Sequence, residues 1–94
     1  MAHIIVWHQV EDFDRWKSEF DKHGPIRQGA GSQGGIVYRS YGDSNEVVTV
    51  LEWDSNENSQ AFMASQDLQA VMEEAGVTGQ RLVAFLDDVI ATPV

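Results

Sequence analysis

Three polar side chains lie in stretches of sequence that are otherwise apolar, and their chemistry suggests acid–base catalysis. His8 ends the first apolar run of the chain, Arg39 lies within the second, and Glu52 lies near the end of the third. A neutral imidazole accepts a proton from a phenol or an acidic C–H bond, and a guanidinium stabilises an oxyanion or enolate. A nearby carboxylate orients the imidazole or acts as a second base. We therefore regard His8, Arg39 and Glu52 as candidate catalytic residues.

The same residues also have a structural interpretation. Arg39 and Glu52 fall on strands that the turn-forming residues 42–45 would join into a hairpin, so the two side chains can form a buried ion pair without any ligand. His8 can end a strand by hydrogen-bonding to loop backbone. The sequence leaves this choice open, because a slip of one residue in a strand moves a side chain to the opposite face of the sheet.

Aromatic residues are numerous enough to line a pocket for a flat, apolar ligand. They include all three Trp residues and both Tyr residues of the chain. These side chains either contact a substrate, together with His23 at the end of the first helix, or simply fill the core. The predicted substrate-binding residues are Trp7, Trp16, His23, Tyr38, Tyr41, Trp53, Phe62 and Phe85.

The elements that must position these residues follow from hydrophobic spacing. Runs of β-branched and aromatic residues predict strands, whereas the i, i+3, i+7 spacing of Phe13, Trp16 and Phe20 predicts a helix. The predicted strands cover residues 3–8, 35–41, 46–53 and 81–90, and the predicted helices cover residues 12–23 and 55–75, the second with a break at 65–67. The Gly-rich residues 24–33 are predicted to form a loop.

The resulting order, βαββαβ, predicts an α+β protein with a ferredoxin-like fold. Right-handed crossovers place both helices on one face of a four-stranded antiparallel sheet. The strands are apolar on both faces, however, and no remaining element can cover the second face. We therefore predict a homodimer in which two sheets pack together as a dimeric α/β barrel. The alternative is a monomer whose apolar sheet is partly exposed.

Length and charge restrict the remaining possibilities. The 94 residues suffice for a single domain, residues 1–94, and the net charge of −9 opposes binding to nucleic acid. No membrane span or signal peptide is recognisable, so we expect no membrane partner and a cytoplasmic location. The chain has no Cys and no metal-ligand spacing, so we predict neither a metal nor a cofactor. The G-x-G-x-x-G pattern at residues 29–34 follows a helix and precedes a strand, the reverse of a dinucleotide site.

Four short segments have the residue pattern of a known group. They are the Gly-then-aromatic strand Gly35–Tyr41, the acidic and Trp pair within Leu51–Asp54, the helical segment Ala61–Ser65, and the opening segment His8–Trp16 with Phe20. With these motifs the chain resembles the dimeric α/β-barrel superfamily, in particular the branch of antibiotic biosynthesis monooxygenases and small polyketide cyclases. The resemblance extends over nearly the whole chain and implies the same fold and dimer.

The resemblance restricts the chemistry less than the fold. The superfamily includes cofactor-free oxygenases, aromatic cyclases, haem-degrading enzymes and isomerases. Several relatives carry a His three residues before the Ser of the second helix, where this chain has Phe62, which argues against haem degradation. We predict an enzyme that acts on an aromatic or polyketide-like small molecule by cofactor-free acid–base chemistry, as a cyclase or monooxygenase. The alternatives are a lyase or isomerase on the same scaffold, or a non-catalytic ligand-binding or stress-associated dimeric module.

Overall fold

The computed structural model describes residues 2–94, which form four strands and four helices. In chain order these are β1 (Ala2–Val10), α1 (Phe13–Lys22), α2 (Gly24–Ala30), β2 (Ser32–Arg39), β3 (Glu46–Trp53), α3 (Asn56–Met63), α4 (Gln66–Glu74) and β4 (Val77–Leu86). The strands form one antiparallel sheet in the order β2-β3-β1-β4. The predicted α+β ferredoxin-like fold is confirmed, with a pair of short helices in each of the two crossovers.

Side chains of the central strands alternate between the two faces of the sheet. In β1, Ile4 and Val6 are buried, and in β3 Leu51 and Trp53 are buried opposite them in the antiparallel register. Apolar residues of the helices, including Phe20, pack against this cluster. Burial of these apolar groups stabilises the fold by about 25 cal/mol for each Å² removed from water. We call this side, formed by the buried residues of β1 and β3, the helix-covered face.

The other side of the sheet carries no helix and is also apolar. Two rows of neighbouring side chains cross the four strands there, set by the register of the three strand pairs. Most of these side chains are partly or fully exposed. We call this side the open face; its two rows are Tyr38, Val48, Trp7 and Leu82, and Ile36, Val50, Ile5 and Ala84.

Side-chain caps explain where three of the helices begin. The Asp12 carboxylate accepts a hydrogen bond from the backbone N–H of Asp14 at 3.1 Å, and α1 follows. The hydroxyls of Ser55 and Ser65 accept bonds from backbone N–H groups three residues later, so α3 and α4 each have their own start. The predicted break at 65–67 is therefore the start of α4. Within residues 2–94 no helix is long and apolar enough to cross a membrane.

Two predicted boundaries are wrong. Residues 24–30 form the helix α2 instead of a loop, because Pro25 lies in the first turn, where its missing N–H costs no hydrogen bond. The last strand covers Val77–Leu86 rather than 81–90, because Gly76, with φ of 81°, leads the chain directly from α4 into the sheet. The backbone carbonyl of Gly76 accepts a hydrogen bond from Glu11 N–H at 2.9 Å at this junction.

Three irregularities interrupt the strand register, two between β1 and β4, at Trp7/His8 and at Gln9/Val10, and one between β2 and β3. Between β1 and β4 the pairing passes from Trp7 with Leu82 to His8 with Gln80, so that one residue of β4 is extra, which defines a β-bulge. Between β2 and β3 the register shifts before Gly35. A Cβ atom at Gly35 would collide with the backbone carbonyl oxygen of Val50, so only glycine permits this close approach of the two strands.

Candidate functional site

A small apolar cavity lies between the helices and the helix-covered face. Its volume is about 70 Å³. The walls come from β1, β3 and all four helices, and most of the lining side chains are aliphatic, aromatic or Met. The lining residues are Val6, His8, Trp16, Phe20, His23, Arg27, Thr49, Leu51, Phe62, Met63, Leu68, Val71, Met72 and Ala75.

His8 supplies a buried and unpaired polar atom to this cavity. The residue is 7% exposed, and its Nε2 atom has no hydrogen-bond partner in the part of the chain that the structure describes. Gln80 lies opposite His8 in the sheet, with its side chain beside the imidazole. Burial lowers the pKa of His8, and the Gln80 side chain opposes this in part. The imidazole is therefore neutral at pH 7, with one nitrogen free to accept a proton.

His23 forms another part of the cavity wall. It follows the last residue of α1, is 7% exposed, and its ring lies 5.7 Å from the ring of Phe62 between centroids. Burial lowers the pKa of His23; the positive charge of Arg27 lowers it further, and Asp67 opposes both. His8 and His23 thus line the same cavity as neutral side chains.

Arg39 faces the helices but does not reach the cavity. It lies in the same cross-strand row as His8, with Val47 between them. Its guanidinium stacks on the ring of Phe13 at 3.9 Å from the centroid, and its Nε donates a hydrogen bond to the carbonyl oxygen of Ser44 at 3.0 Å. These contacts direct the side chain toward the start of α1 and away from the cavity.

Glu52 lies on the opposite side of the sheet from His8. It pairs with His3 across β1 and β3, and its carboxylate oxygen lies 3.5 Å from Nε2 of His3. Strand alternation excludes it from the cavity, and it forms no ion pair with Arg39 within residues 2–94, because those two residues lie at opposite ends of the β2–β3 ladder. The three candidate catalytic residues therefore do not converge.

The predicted substrate-binding residues divide in the same way. Trp16, His23 and Phe62 line the cavity. Trp53 is buried behind the cavity wall, with its ring 5.2 Å from that of Phe62 between centroids. The others do not line the cavity: Trp7 and Tyr38 lie on the open face, Tyr41 follows β2 and is exposed, and Phe85 faces the helices at the far end of β4.

A wider, more polar groove adjoins the cavity. Its volume is about 330 Å³, and it shares Phe20, Arg27 and Leu51 with the cavity. We call this space the polar groove; its remaining lining residues are Gly24, Gln28, Ser32, Gln33, Gly34, Gly35 and Val37. The described residues contain no cluster of three or more His, Asp or Glu side chains that could hold a metal ion.

Solved structures share this architecture over their full length. A protein of Bordetella bronchiseptica, described provisionally as an antibiotic biosynthesis monooxygenase, has a TM-score of 0.76 at 18% identity, covering 95% of this chain and 97% of its own. The chain has the fold of the antibiotic biosynthesis monooxygenases. SnoaB of Streptomyces nogalater, a cofactor-independent oxygenase, has a TM-score of 0.77 at 10% identity, covering 99% of this chain and 97% of its own.

A third structure, described as an antibiotic biosynthesis monooxygenase, has a TM-score of 0.70 at 15% identity and covers 96% of this chain and 100% of its own. The sequence matches no family profile and no curated protein. At these identities the likeness to the antibiotic biosynthesis monooxygenases concerns the fold, and the chemistry of the site depends on the residues of this chain.

Of the site residues that were not identified from the sequence, four contribute most to the arguments about the site. Gln80 contacts His8 only because of the β-bulge, and Arg27 reaches the cavity only because residues 24–30 are helical. Met63 and Met72 were not singled out, since apolar helix residues are typical of any core. Successive side chains of β1 and β3 point to opposite faces of the sheet. This alternation is the one sequence feature that could have shown which residues share a face with His8.

Proposed function

We propose that this protein is a cofactor-free monooxygenase that oxidises a small phenolic substrate, with His8 as the general base. The observation that carries the proposal is the unpaired Nε2 of His8, buried on the wall of an apolar cavity. A buried nitrogen without a partner costs free energy that a ligand hydroxyl would recover. The likeness in fold to SnoaB, a cofactor-independent oxygenase, supports the reaction class.

The size of the cavity argues for a substrate smaller than a polycyclic polyketide. Sites for drug-sized ligands have volumes of ~300–1,000 Å³, well above the volume of this cavity. Such a space favours one aromatic ring of a substrate. Any polar substituent of that ring would extend into the polar groove. Met63 and Met72 line the cavity, and their flexible side chains can adjust to the ring.

The proposed reaction needs no external reductant. Nε2 of His8 accepts the proton of the phenol hydroxyl, which leaves an electron-rich phenolate. The phenolate ring is oxidised by dioxygen, so that one oxygen atom becomes a ring carbonyl and the other leaves as water. The substrate thus loses two hydrogen atoms and gains one oxygen atom. Apolar walls exclude bulk water and strengthen the contact between the imidazole and the phenol.

We also propose that the protein is a homodimer assembled through the open face. Four large apolar side chains in the two rows of this face are substantially exposed: Ile36 at 55%, Tyr38 at 53%, Leu82 at 46% and Trp7 at 37%. Their rows run across all four strands, so the apolar area is continuous. A self-complementary sheet surface of this kind is well suited to a second copy related by a two-fold axis.

The function is tested by oxygen consumption with one-ring phenols, comparing the wild type with His8→Gln and His3→Gln. Glutamine keeps the approximate size of imidazole but cannot act as a base at neutral pH. We expect H8Q to lower kcat/KM by about 100-fold or more, because general bases contribute about 10²–10⁴ in rate. H3Q, on the open face, serves as the control and should retain activity within about twofold.

Two outcomes would overturn the proposal. Equal rates for the wild type and H8Q would exclude His8 as the base. Turnover without oxygen consumption would exclude a monooxygenase and favour a cyclase or isomerase that uses the same base. Circular dichroism of each variant excludes loss of fold as the cause of any decrease.

A further inference from the structure

Among residues 2–94, Arg27 is the only Lys or Arg that lines the cavity or the polar groove, and it lines both. The helix α2 holds it there, with the aliphatic stem half-buried. Arginine remains protonated in proteins, so a full positive charge faces both spaces even though burial lowers the pKa of Arg27, an effect that Asp21 opposes.

The contacts of Arg27 leave most of its donors unused. Nη1 donates one hydrogen bond to the backbone carbonyl oxygen of Phe20 at 2.7 Å. The guanidinium also stacks on the ring of Phe20, 3.7 Å from the centroid. A guanidinium has five N–H donors, and only one of them is used in these contacts. The side chain is therefore held in place with its remaining donors available to a ligand.

The walls around Arg27, as far as residues 2–94 form them, contain no carboxylate. The chain has 15 Asp and Glu residues, but none of them is among the described residues that line the cavity or the polar groove. Among the described residues, no carboxylate oxygen lies within 4.0 Å of a nitrogen of Arg27. Asp21 and Asp67 act on this region only from a distance, so the stacked guanidinium has no ion-pair partner and is available to an anionic ligand.

We propose that Arg27 binds the carboxylate of the substrate and thereby fixes the substrate ring against His8. The proposal rests on the proposed function and deepens it, because it restricts the substrate to an aromatic acid. The ring occupies the apolar cavity, and the carboxylate lies at the mouth of the polar groove. There, the hydroxyl of Ser32 and the amide of Gln33 are further polar groups of the wall.

A carboxylate fits this site better than a phosphate. The planar guanidinium matches the two oxygens of a carboxylate in a bidentate contact. Phosphate sites usually combine several cations or a helix N-terminus, whereas here a single Arg stands beside an apolar cavity. The polar groove, at about 330 Å³, has room for the carboxylate and its bound water.

The test is a binding measurement that does not depend on turnover. Benzoate, its neutral analogue benzamide, and inorganic phosphate are titrated separately into the protein, and binding is followed by NMR shifts of the Arg27 side chain and of the Trp16 indole. We expect benzoate to bind at least about tenfold more tightly than benzamide, in keeping with the strength of charge-assisted hydrogen bonds. Phosphate should shift these signals only at far higher concentration.

Three variants test whether Arg27 causes the preference for benzoate. Arg27→Gln should abolish the preference for benzoate. Arg27→Lys keeps the charge but lacks the two parallel N–H donors of a guanidinium, so it should retain part of the preference. Lys22→Gln removes an equal charge from an exposed side chain at the end of α1 and should bind benzoate as the wild type does. Equal affinity for benzoate and benzamide, an unchanged preference in R27Q, or tighter binding of phosphate would each overturn the proposal. An inactive H8Q that still prefers benzoate separates the anion site from the base.

Discussion

The two faces of the sheet are both apolar, yet they differ in what their polar groups do. On the helix-covered face, His8 is buried with an unpaired nitrogen beside a cavity. On the open face, His3 and Glu52 lie together among exposed apolar rows. Adjacent residues of one strand, Trp7 and His8, belong to different faces and hence to different proposed tasks, assembly and chemistry. Under these proposals, even-numbered residues of β1 face the cavity and odd-numbered residues face the dimer contact.

The substitution with the largest expected effect places a charge on the open face and tests whether the two faces have separate roles. Trp7→Glu places a carboxylate in the centre of the proposed dimer contact, where desolvation without a partner is costly. We expect the dimer dissociation constant to rise by at least about 100-fold, while benzoate binding to the monomer changes by less than about threefold. Sedimentation velocity over a range of concentrations measures the first quantity, and NMR titration measures the second.

The matched control is Ile26→Glu, which puts the same charge on an exposed apolar residue of α2. This variant should sediment like the wild type. A wild-type protein that is monomeric at all concentrations would refute the proposed dimer and leave the open face as a solvent-exposed surface.

A substitution at Gly35 should damage both faces at once. Gly35 lies where β2 approaches β3, and it borders the polar groove on one face and a hollow beside His3 and Glu52 on the other. Because an added Cβ collides with the Val50 carbonyl oxygen, Gly35→Ala should lower the free energy of unfolding by about 2–3 kcal/mol. Urea unfolding followed by circular dichroism measures this change.

Gly29→Ala is the control for that experiment. A Cβ placed at Gly29, which is inside α2, meets no atom within 4 Å other than its chain neighbours and the backbone of its own helix, so alanine should be neutral or slightly stabilising. If G35A were as stable as G29A, the close approach of β2 and β3 would not constrain the sheet, and the two faces would be independent at this point.

The smallest expected effect is the pH dependence of stability contributed by the helix-covered face. Folding lowers the pKa values of His8 and His23, so below about pH 6.5 the unfolded chain binds more protons than the folded protein. The free energy of unfolding should therefore fall as the pH decreases from 7.5 to 5.5, by the linkage relation. Urea unfolding at several pH values should show a shallower decrease for the double variant H8Q/H23Q. An equally steep decrease in that variant would assign the effect to other groups.

Much of the fold could be predicted from the sequence. Runs of β-branched residues located all four strands, and the Ser55 and Ser65 caps agree with the predicted start and break of the second helix. The helix α2 was missed because its Gly and Pro content is typical of a loop. Besides Pro25 in its first turn, contacts with other elements stabilise it, among them those of Arg27 with the ring and backbone of Phe20.

The site was less predictable than the fold. The sequence singled out His8, but the apolar character of both faces concealed which neighbours share its side of the sheet. Arg39 shares that side and is nevertheless directed away, because the ring of Phe13 offers it a stacking surface. A cation–π contact between distant segments leaves no trace in hydrophobic periodicity. Residue pairs that depend on strand register or on such contacts can be identified only from the three-dimensional structure.

The β-bulge next to His8 makes the number of residues in β4 important for the site, because it decides which residue lies opposite His8. Arg81 is the extra residue there; its side chain contacts Glu46 and lies 3.4 Å from Oε1 of Gln9. With uninterrupted pairing, Arg81 would stand opposite His8 and bring a cation to the imidazole in place of the Gln80 amide. Deletion of the Gln80 codon would close the bulge, with Gly79 still opposite Gln9, and would make that exchange without altering any lining residue of the cavity. Loss of this one codon should therefore be more damaging to the site than most substitutions in β4.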